Sequence, residues 1–351
     1  MKLLILGPTA LLGRALLDLA AQAGHELTVY NRTALDRNRF PFVEWIDASA
    51  IDSLDRITGR PYDCVFDLSA GLPDVTLRNA LLLEGRTPFY ILLSSLSVYR
   101  DFAAPNIDES YATAEYPAHV TAPSPDLADY STYGARLALC ERRLAEVFPR
   151  RAAVVRAGLL AGPYDTSERL PRLIRRVASA AVGEKILVGS NPNQPVQLLD
   201  TRDLAAFFLS LAATRISGVY NAAGDITPLD QLLDHLAIAT QSPAEFAYLP
   251  DDHLARAGML PMSQLPLWVP ERGYPGFFRV STAAARRTGL APRALIDTFA
   301  AANAFLQDQD RRNVAVHLPA GTALPITVLP KPGEARLLES PAVRQAVSSA
   351  A

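Results

Sequence analysis

The sequence predicts an α/β fold built on a doubly wound parallel sheet. Two observations carry that expectation. In the first half of the chain, short and uniformly apolar β-rich runs alternate with amphipathic helical patterns, and the first run ends in a glycine turn that opens a helix. A strand that is apolar along its whole length is buried on both faces, as in parallel sheets covered by helices. Such sheets bind ligands beyond the carboxyl ends of their strands, where the strand order reverses.

The elements follow in order. KLLIL (2–6) is the first strand, and the helix it feeds runs over 11–23. ELTVY (26–30) and FVEWI (42–46) supply two more strands, with a short helix over about 51–58 behind them. CVFDLS (64–69) and FYILLS (89–94) flank a helix over 74–84. The helix over 131–147 carries Leu137, Cys140, Leu144 and Val147 on one apolar stripe, with Arg142, Arg143 and Glu146 outside it. AAVVRA (152–157) completes this half. Beyond about residue 160 the alternation loosens: helices are expected over 168–181, 201–213 and 228–240, and strands at KILVG (185–189) and GVYNAA (218–223). Segment 244–280 is rich in Pro and aromatic residues and reads as loops closing over a cleft, while 313–351 is a Pro- and Ala-rich extension rather than a further domain.

The bulk numbers exclude several function classes. The chain has 351 residues, 49% hydrophobic and 20% charged, the balance of an ordinary globular protein. Its 34 basic and 36 acidic residues are interspersed, so no basic stripe points to nucleic acid or to an anionic membrane. No stretch approaches the ~20 apolar residues of a membrane span, and the apolar run in MKLLILG breaks at Gly7-Pro8, too early for a secretory core segment. A cytoplasmic location is the default expectation. Two isolated cysteines, Cys64 and Cys140, make neither a zinc cluster nor a disulfide framework, and the five histidines lack metal-ligand spacing, so no metal is expected. Of these histidines only His119, in the long insertion before Tyr133, falls near the expected cleft.

LLILGPTALLGR (3–14) is a strand, a glycine turn and a helix start. In a dinucleotide site the glycines make the tight turn, admit the pyrophosphate and let helix pack on strand, while the helix N-terminus offers free N–H donors. Gly7, Ala10 and Gly13 hold that frame, with the middle glycine replaced. Pro8 removes one backbone N–H that would face phosphate. The second strand ends VYNRT, where an acid would bind the adenosine 2′-hydroxyl and an arginine a 2′-phosphate. Asn31 and Arg32 stand there, favouring NADP while leaving NAD open. Asp47, ending the third strand, is either an adenine contact or an ordinary loop aspartate.

LGPTALLGR, VYNRT, LSSLSVY, YGARLALCE, VRAGLLAGPYD, PVQLLDTRDLA and GVYNAAG occur in an order that resembles the extended branch of the short-chain dehydrogenase/reductase superfamily, the NAD-dependent epimerase/dehydratase type. The resemblance covers roughly residues 1–300. It implies a Rossmann-type domain over 1–160, with later segments around 185–225 contributing, and a smaller C-terminal substrate domain over 161–312. Expected cofactor contacts are Gly7, Thr9, Ala10, Leu11, Leu12 and Gly13 in the turn, Asn31, Arg32 and Asp47, and Leu68, Ser69 and Ala70 after the fourth strand. Pairing of two copies through helices of the first domain is a further implication.

In that family a Ser at the end of the fifth strand, a Tyr, and a Lys one helical turn after it form the proton-transfer unit. Hydride exchange at a carbinol carbon requires a proton to move at its oxygen. A free phenol, of pKa about 10, is only ~0.1% ionised at pH 7, so a nearby cation matters. The match puts Ser95 and Tyr133 on the Ser and Tyr, and Leu137 on the Lys position. Arg136 lies about 100° round the helix from position 137 and is expected to point elsewhere. The family's Arg-Pro-Gly is Arg156-Ala157-Gly158 here. Ser97, Arg169 and Gln197 are expected on the substrate side, with Asp165 and Arg172 near them; Asp203 suits a helix's first turn. The resulting expectation is an NADP(H)-dependent oxidoreductase or epimerase/dehydratase acting on a small hydroxyl- or carbonyl-bearing molecule, with an incomplete Ser-Tyr-Lys site. The alternatives are redox-neutral chemistry on the same fold, or a non-catalytic nucleotide-binding protein.

Overall fold

The computed structural model describes residues 1–32, 38–50, 53–69, 71–116, 130–165, 167–270, 272–312 and 337–338. Ala70, His119, the first two residues of the helix expected over 51–58 and nearly all of 313–351 lie outside them.

The first half alternates as expected: β1 (Lys2–Leu6), α1 (Leu12–Gln22), β2 (Glu26–Asn31), β3 (Glu44–Asp47), α2 (Ser53–Thr58), β4 (Cys64–Asp67), α3 (Pro73–Leu83), β5 (Tyr90–Ser95), α4 (Tyr133–Val147) and β6 (Ala152–Ala157). The rest adds β7 (Leu159–Ala161), α5 (Arg169–Ala178), β8 (Lys185–Gly189), β9 (Pro195–Asp200), α6 (Thr201–Thr214) and β10 (Gly218–Ala222). It ends with β11 (Ile226–Pro228), α7 (Leu229–Thr240), β12 (Glu245–Tyr248), α8 (Asp251–Arg256), α9 (Ala283–Arg287) and α10 (Leu295–Arg312).

Seven strands form one parallel sheet in the order β10-β6-β5-β4-β1-β2-β3. The uniformly apolar strands are explained by its two covered faces. Leu3 and Ile5 of β1 enter one core with Leu16 of α1 and Phe207 and Phe208 of α6. Leu4 and Leu6 enter the opposite core with Ala80 and Leu83 of α3 and Cys140 and Leu144 of α4. Leu3 to Leu6 are therefore all interior, and the two-residue period of a half-exposed sheet disappears. The order reverses between β1 and β4, which opens a crevice at their carboxyl ends.

Another core is built from α5, α7, α10, β8 and β9, with Leu170, Ile174, Leu232, Leu236 and Phe299 among its buried members. Three departures from expectation stand out. The third strand starts at Glu44 instead of residue 42, because Thr28 of β2 pairs first with Glu44 and Phe42 points to solvent. Pro195–Asp200 forms a strand between β7 and β11, and 295–312 forms the longest helix described. Among the described residues no helix is long and apolar enough to cross a membrane.

Candidate active site

The crevice between β1 and β4 is shaped by glycine. Gly7 donates its N–H to Tyr30 O at 3.1 Å and has φ 101°. A β-carbon on it would come within 3.0 Å of the backbone of Leu68 and Ser69, and one on Gly13 within 2.4 Å of Pro8 O. Only glycine leaves the room this turn occupies. Leu11, with φ 44°, precedes α1, and Thr9 is buried with its Oγ1 lacking a protein partner. The structure thus brings Gly7, Thr9, Ala10, Leu11, Leu12 and Gly13 together with Leu68 and Ser69. A buried hydroxyl awaiting a partner beside a helix N-terminus fits a pyrophosphate, Pro8 notwithstanding.

Asn31 closes β2 directly opposite Asp47 on β3, and Arg32 is exposed beyond it. Asp47 Oδ1 accepts from the backbone N–H and the hydroxyl of Ser49 at 2.9 and 2.6 Å, which ties that oxygen to its own turn. Arg14 went unnoticed in the sequence. It is 4% exposed, its guanidinium lying between the rings of Phe40 and Tyr164 at 4.6 and 4.8 Å. Arg39 donates to the Tyr164 hydroxyl at 3.3 Å, and burial raises the pKa of that phenol. Nothing local to Arg14 signals a partner so distant along the chain.

Ser95 ends β5 beside Ala157 of β6. Its Oγ accepts from the Ser97 N–H at 3.2 Å and donates to Ser97 Oγ at 3.2 Å. Both serines line a cleft with a volume of about 150 Å³, together with Arg169, Gln197, Ala157 and Gly158. Three segments far apart in sequence therefore meet as expected. Gln197 has little to offer a ligand, however. Its Nε2 donates to Gly224 O and Val280 O, and its Oε1 accepts from Val280 N, at 2.9–3.1 Å. It anchors the segment that carries the far wall.

Tyr133 is the first residue of α4 and adjoins the same corner, since a β-carbon on Gly134 would meet Ser97 O at 2.3 Å. It packs against the apolar cluster that includes Leu96, Val98 and Tyr99 and is not among the described residues lining the cleft. Leu137 is 1% exposed in that same apolar cluster. Arg136 corrects the expectation that it points away. It is fully buried, with its guanidinium carbon 5.9 Å from the centre of the Tyr133 ring. Residues three apart share a helix face, which brings these two together.

Behind the serines lies a buried ionic network. Arg156 binds Glu141 through Nε and Nη2, the latter at 2.7 Å, while Ser94 donates to Glu141 and Tyr99 donates to Asn221 at 2.7 Å. Burial works against the Arg156 charge, yet the Glu141 bonds hold its pKa above the usual value. Asp203 binds Arg293 at 2.6 Å besides standing in the first turn of α6. Asp165 is buried, which raises its pKa, and its Oδ1 accepts from Ser167 N at 2.7 Å. Arg172 pairs with Glu168 on the surface.

A family model described as the NAD dependent epimerase/dehydratase family matches residues 3–223, more than half of the chain. The chain belongs to that family. It is an NAD(P)-binding enzyme of epimerase/dehydratase type, and the match spans the glycine turn, both serines and Tyr133. No curated protein matches the chain. Solved structures share the fold at low identity. The UDP-glucuronic acid 4-epimerase of Bacillus cereus, in complex with NAD, is 13% identical with a TM-score of 0.64, over 90% of this chain and 99% of its own. A UDP-glucose-4-epimerase from Stenotrophomonas maltophila gives 15% and 0.59, covering 89% and 99%. A dTDP-4-dehydrorhamnose reductase from Clostridium acetobutylicum gives 15% and 0.60, covering 88% and 100%.

Proposed function

We propose that this family member is an NADP(H)-dependent oxidoreductase or epimerase that works on a small hydroxyl- or carbonyl-bearing molecule in the Ser95 cleft. The observation that carries the reading is the pairing of two features on one sheet edge. The glycine turn at Gly7–Gly13 sits at the reversal of strand order, and the Ser95 hydroxyl ends a strand two places along. Solved relatives that hold NAD support the cofactor class, and Arg32, in place of an acid, supports the phosphorylated form.

When bound, the nicotinamide would supply or accept the hydride. Gly7, Thr9 and Gly13 would hold its pyrophosphate. Ala157, with a single methyl, and Gly158, with no side chain, would take up little of the cleft beside Ser95. Ser95, coupled to Ser97, would orient the substrate oxygen, and Tyr133, beside that corner but outside the described cleft lining, would move the proton only by turning its hydroxyl toward Ser95. Leu137 takes the position where the family carries its lysine.

That substitution favours a second reading, in which the same cleft performs redox-neutral chemistry. A leucine gives a phenolate no charge stabilisation from position 137, and the cation described beside it, the Arg136 guanidinium, lies by the ring, 5.9 Å from its centre. One experiment separates the two. The enzyme is mixed with NADPH carrying deuterium at both C4 positions and a panel of small aldehydes and ketones, and products are read by mass spectrometry. Deuterium at a carbinol carbon, reduced at least about 100-fold in Ser95→Ala, supports the redox reading. Product formation without label supports the second, and no label with any carbonyl sinks the first.

A further inference from the structure

We propose that the C-terminal extension acts as an intrachain strap, in which Leu337 and Leu338 dock on an apolar seat and so hold the 259–268 loop that reaches the Ser95 cleft. How that wall is held is independent of the reaction assigned to the cleft.

The seat is a cluster of its own. Leu187 of β8, Leu249, Leu254 of α8, Leu265 and Trp268 are buried together, each at most 3% exposed. They belong neither to the two sheet cores nor to the core of α5, α7 and α10. Leu337 and Leu338 pack against this cluster, as does Met259. Satellite clusters of this kind lie under loops, and their apolar surface is a liability once uncovered.

The occupant suits the seat. Leu337 and Leu338 are the last leucines of the chain and stand between Arg336 and Glu339, an apolar pair in a charged setting. Such a pair gains by leaving water for a surface of leucine and tryptophan. Residues 313–336 separate it from the end of α10. That length of chain can span roughly 80 Å, against a width of roughly 50 Å for a compact chain of this size, so one molecule can supply both seat and strap.

The seat and the cleft share a loop. Trp268 N–H donates to Leu265 O at 3.2 Å, and Met262 N–H donates to Trp268 O at 3.1 Å. Met262 O in turn accepts from Arg169 Nε at 3.2 Å, and Met262 and Arg169 both line the cleft. Met262 has φ 57°, a left-handed backbone that its surroundings must hold in place. Trp268 is tied from another side by its Nε1, which donates to Asp251 Oδ1 at 2.8 Å. Trp268 therefore has its side chain in the cluster that the two leucines pack against and its carbonyl one hydrogen bond from the cleft lining. Without the leucines, this part of the cleft wall loses its backing.

The test is hydrogen exchange read by mass spectrometry on the full chain. Wild type is compared with the double variants Leu337→Asp/Leu338→Asp and Leu337→Met/Leu338→Met. The aspartates should speed exchange across 259–268 at least about tenfold while β1 and β4 keep their wild-type rates, because only the loop loses its cover. The methionines, apolar and of similar volume, should leave the loop as in wild type. Unchanged exchange at 259–268 in the aspartate variant would overturn the proposal. So would a rise spread equally over β1 and β4, which would make the leucines part of the global fold instead of a local strap. The wild type is also measured at about 50 and 1 µM, because a seat filled by the tail of a second copy loses protection on dilution. Equal protection at both concentrations supports the intrachain strap, and protection lost at the lower one contradicts it.

Discussion

Leu137 and Arg136 divide between them the two properties that a lysine after Tyr133 would combine. Leu137 fills the apolar cluster of Leu96, Val98 and Ala223, while Arg136 places a buried guanidinium beside the phenol ring. Leu137→Lys should therefore have opposite effects on stability and rate. Burying an ammonium among hydrocarbon should cost about 2–4 kcal/mol, read as a lower urea midpoint. If the chain transfers hydride, the same variant should transfer it faster, because a cation then faces the phenol. An unchanged midpoint would show that position 137 is not enclosed. Tyr133→Phe keeps the ring packing and removes the hydroxyl, so the melting temperature should hold while turnover falls about 100-fold or more. Equal turnover in this variant would remove Tyr133 from the chemistry.

The sheet edge and its helices depend on the ion pair of Glu141 on α4 with Arg156 on β6. Glu141→Gln strands the guanidinium in the core and should cost roughly 3–5 kcal/mol in a denaturant titration. A loss below about 1 kcal/mol would mean that water reaches the pair. At the N-terminus of α6, burial tends to raise the Asp200 pKa, but bonds from the Arg202 side chain and N–H outweigh it and the net shift is downward. A depressed carboxyl stabilises the fold above its unfolded pKa of about 4, and that contribution disappears as pH falls through the native value. Asp200→Asn should flatten the part of the acid denaturation curve due to this group, and an unchanged curve would discard the assignment. The elements differed in how plainly the sequence showed them. Leu3 to Leu6 announce a buried strand because both sheet faces are covered. Residues 295–312 also carry a helical pattern, with Phe299, Ala302, Asn303 and Leu306 buried, yet their polar residues conceal it in a stretch without flanking motifs. The strand Pro195–Asp200 leaves little mark in the sequence, since a short strand is set by its pairing with β7 and β11, not by its own residues.

At the scale of the molecule, the order of the seven strands places the glycine turn, the end of β4 and Ser95 along one edge, and the cleft opens there toward Arg169. The glycine turn and Ser95 were legible because steric demands and strand ends leave local marks. The Arg14 stack on Phe40 and Tyr164 and the commitment of Gln197 were not, because each joins segments that only the tertiary fold brings near. Phe277 and Phe278 on the cleft, by contrast, belong to the aromatic-rich segment 244–280 that the sequence shows. We propose that this edge is a dinucleotide site that prefers the 2′-phosphate. The direct measurement is a fluorescence titration of NADPH and NADH into the wild type and Arg32→Asp. Saturable NADPH binding below about 1 mM is predicted, tighter than NADH by about tenfold, with the preference lost or reversed in Arg32→Asp. Absence of binding by either nucleotide at that concentration would contradict the account.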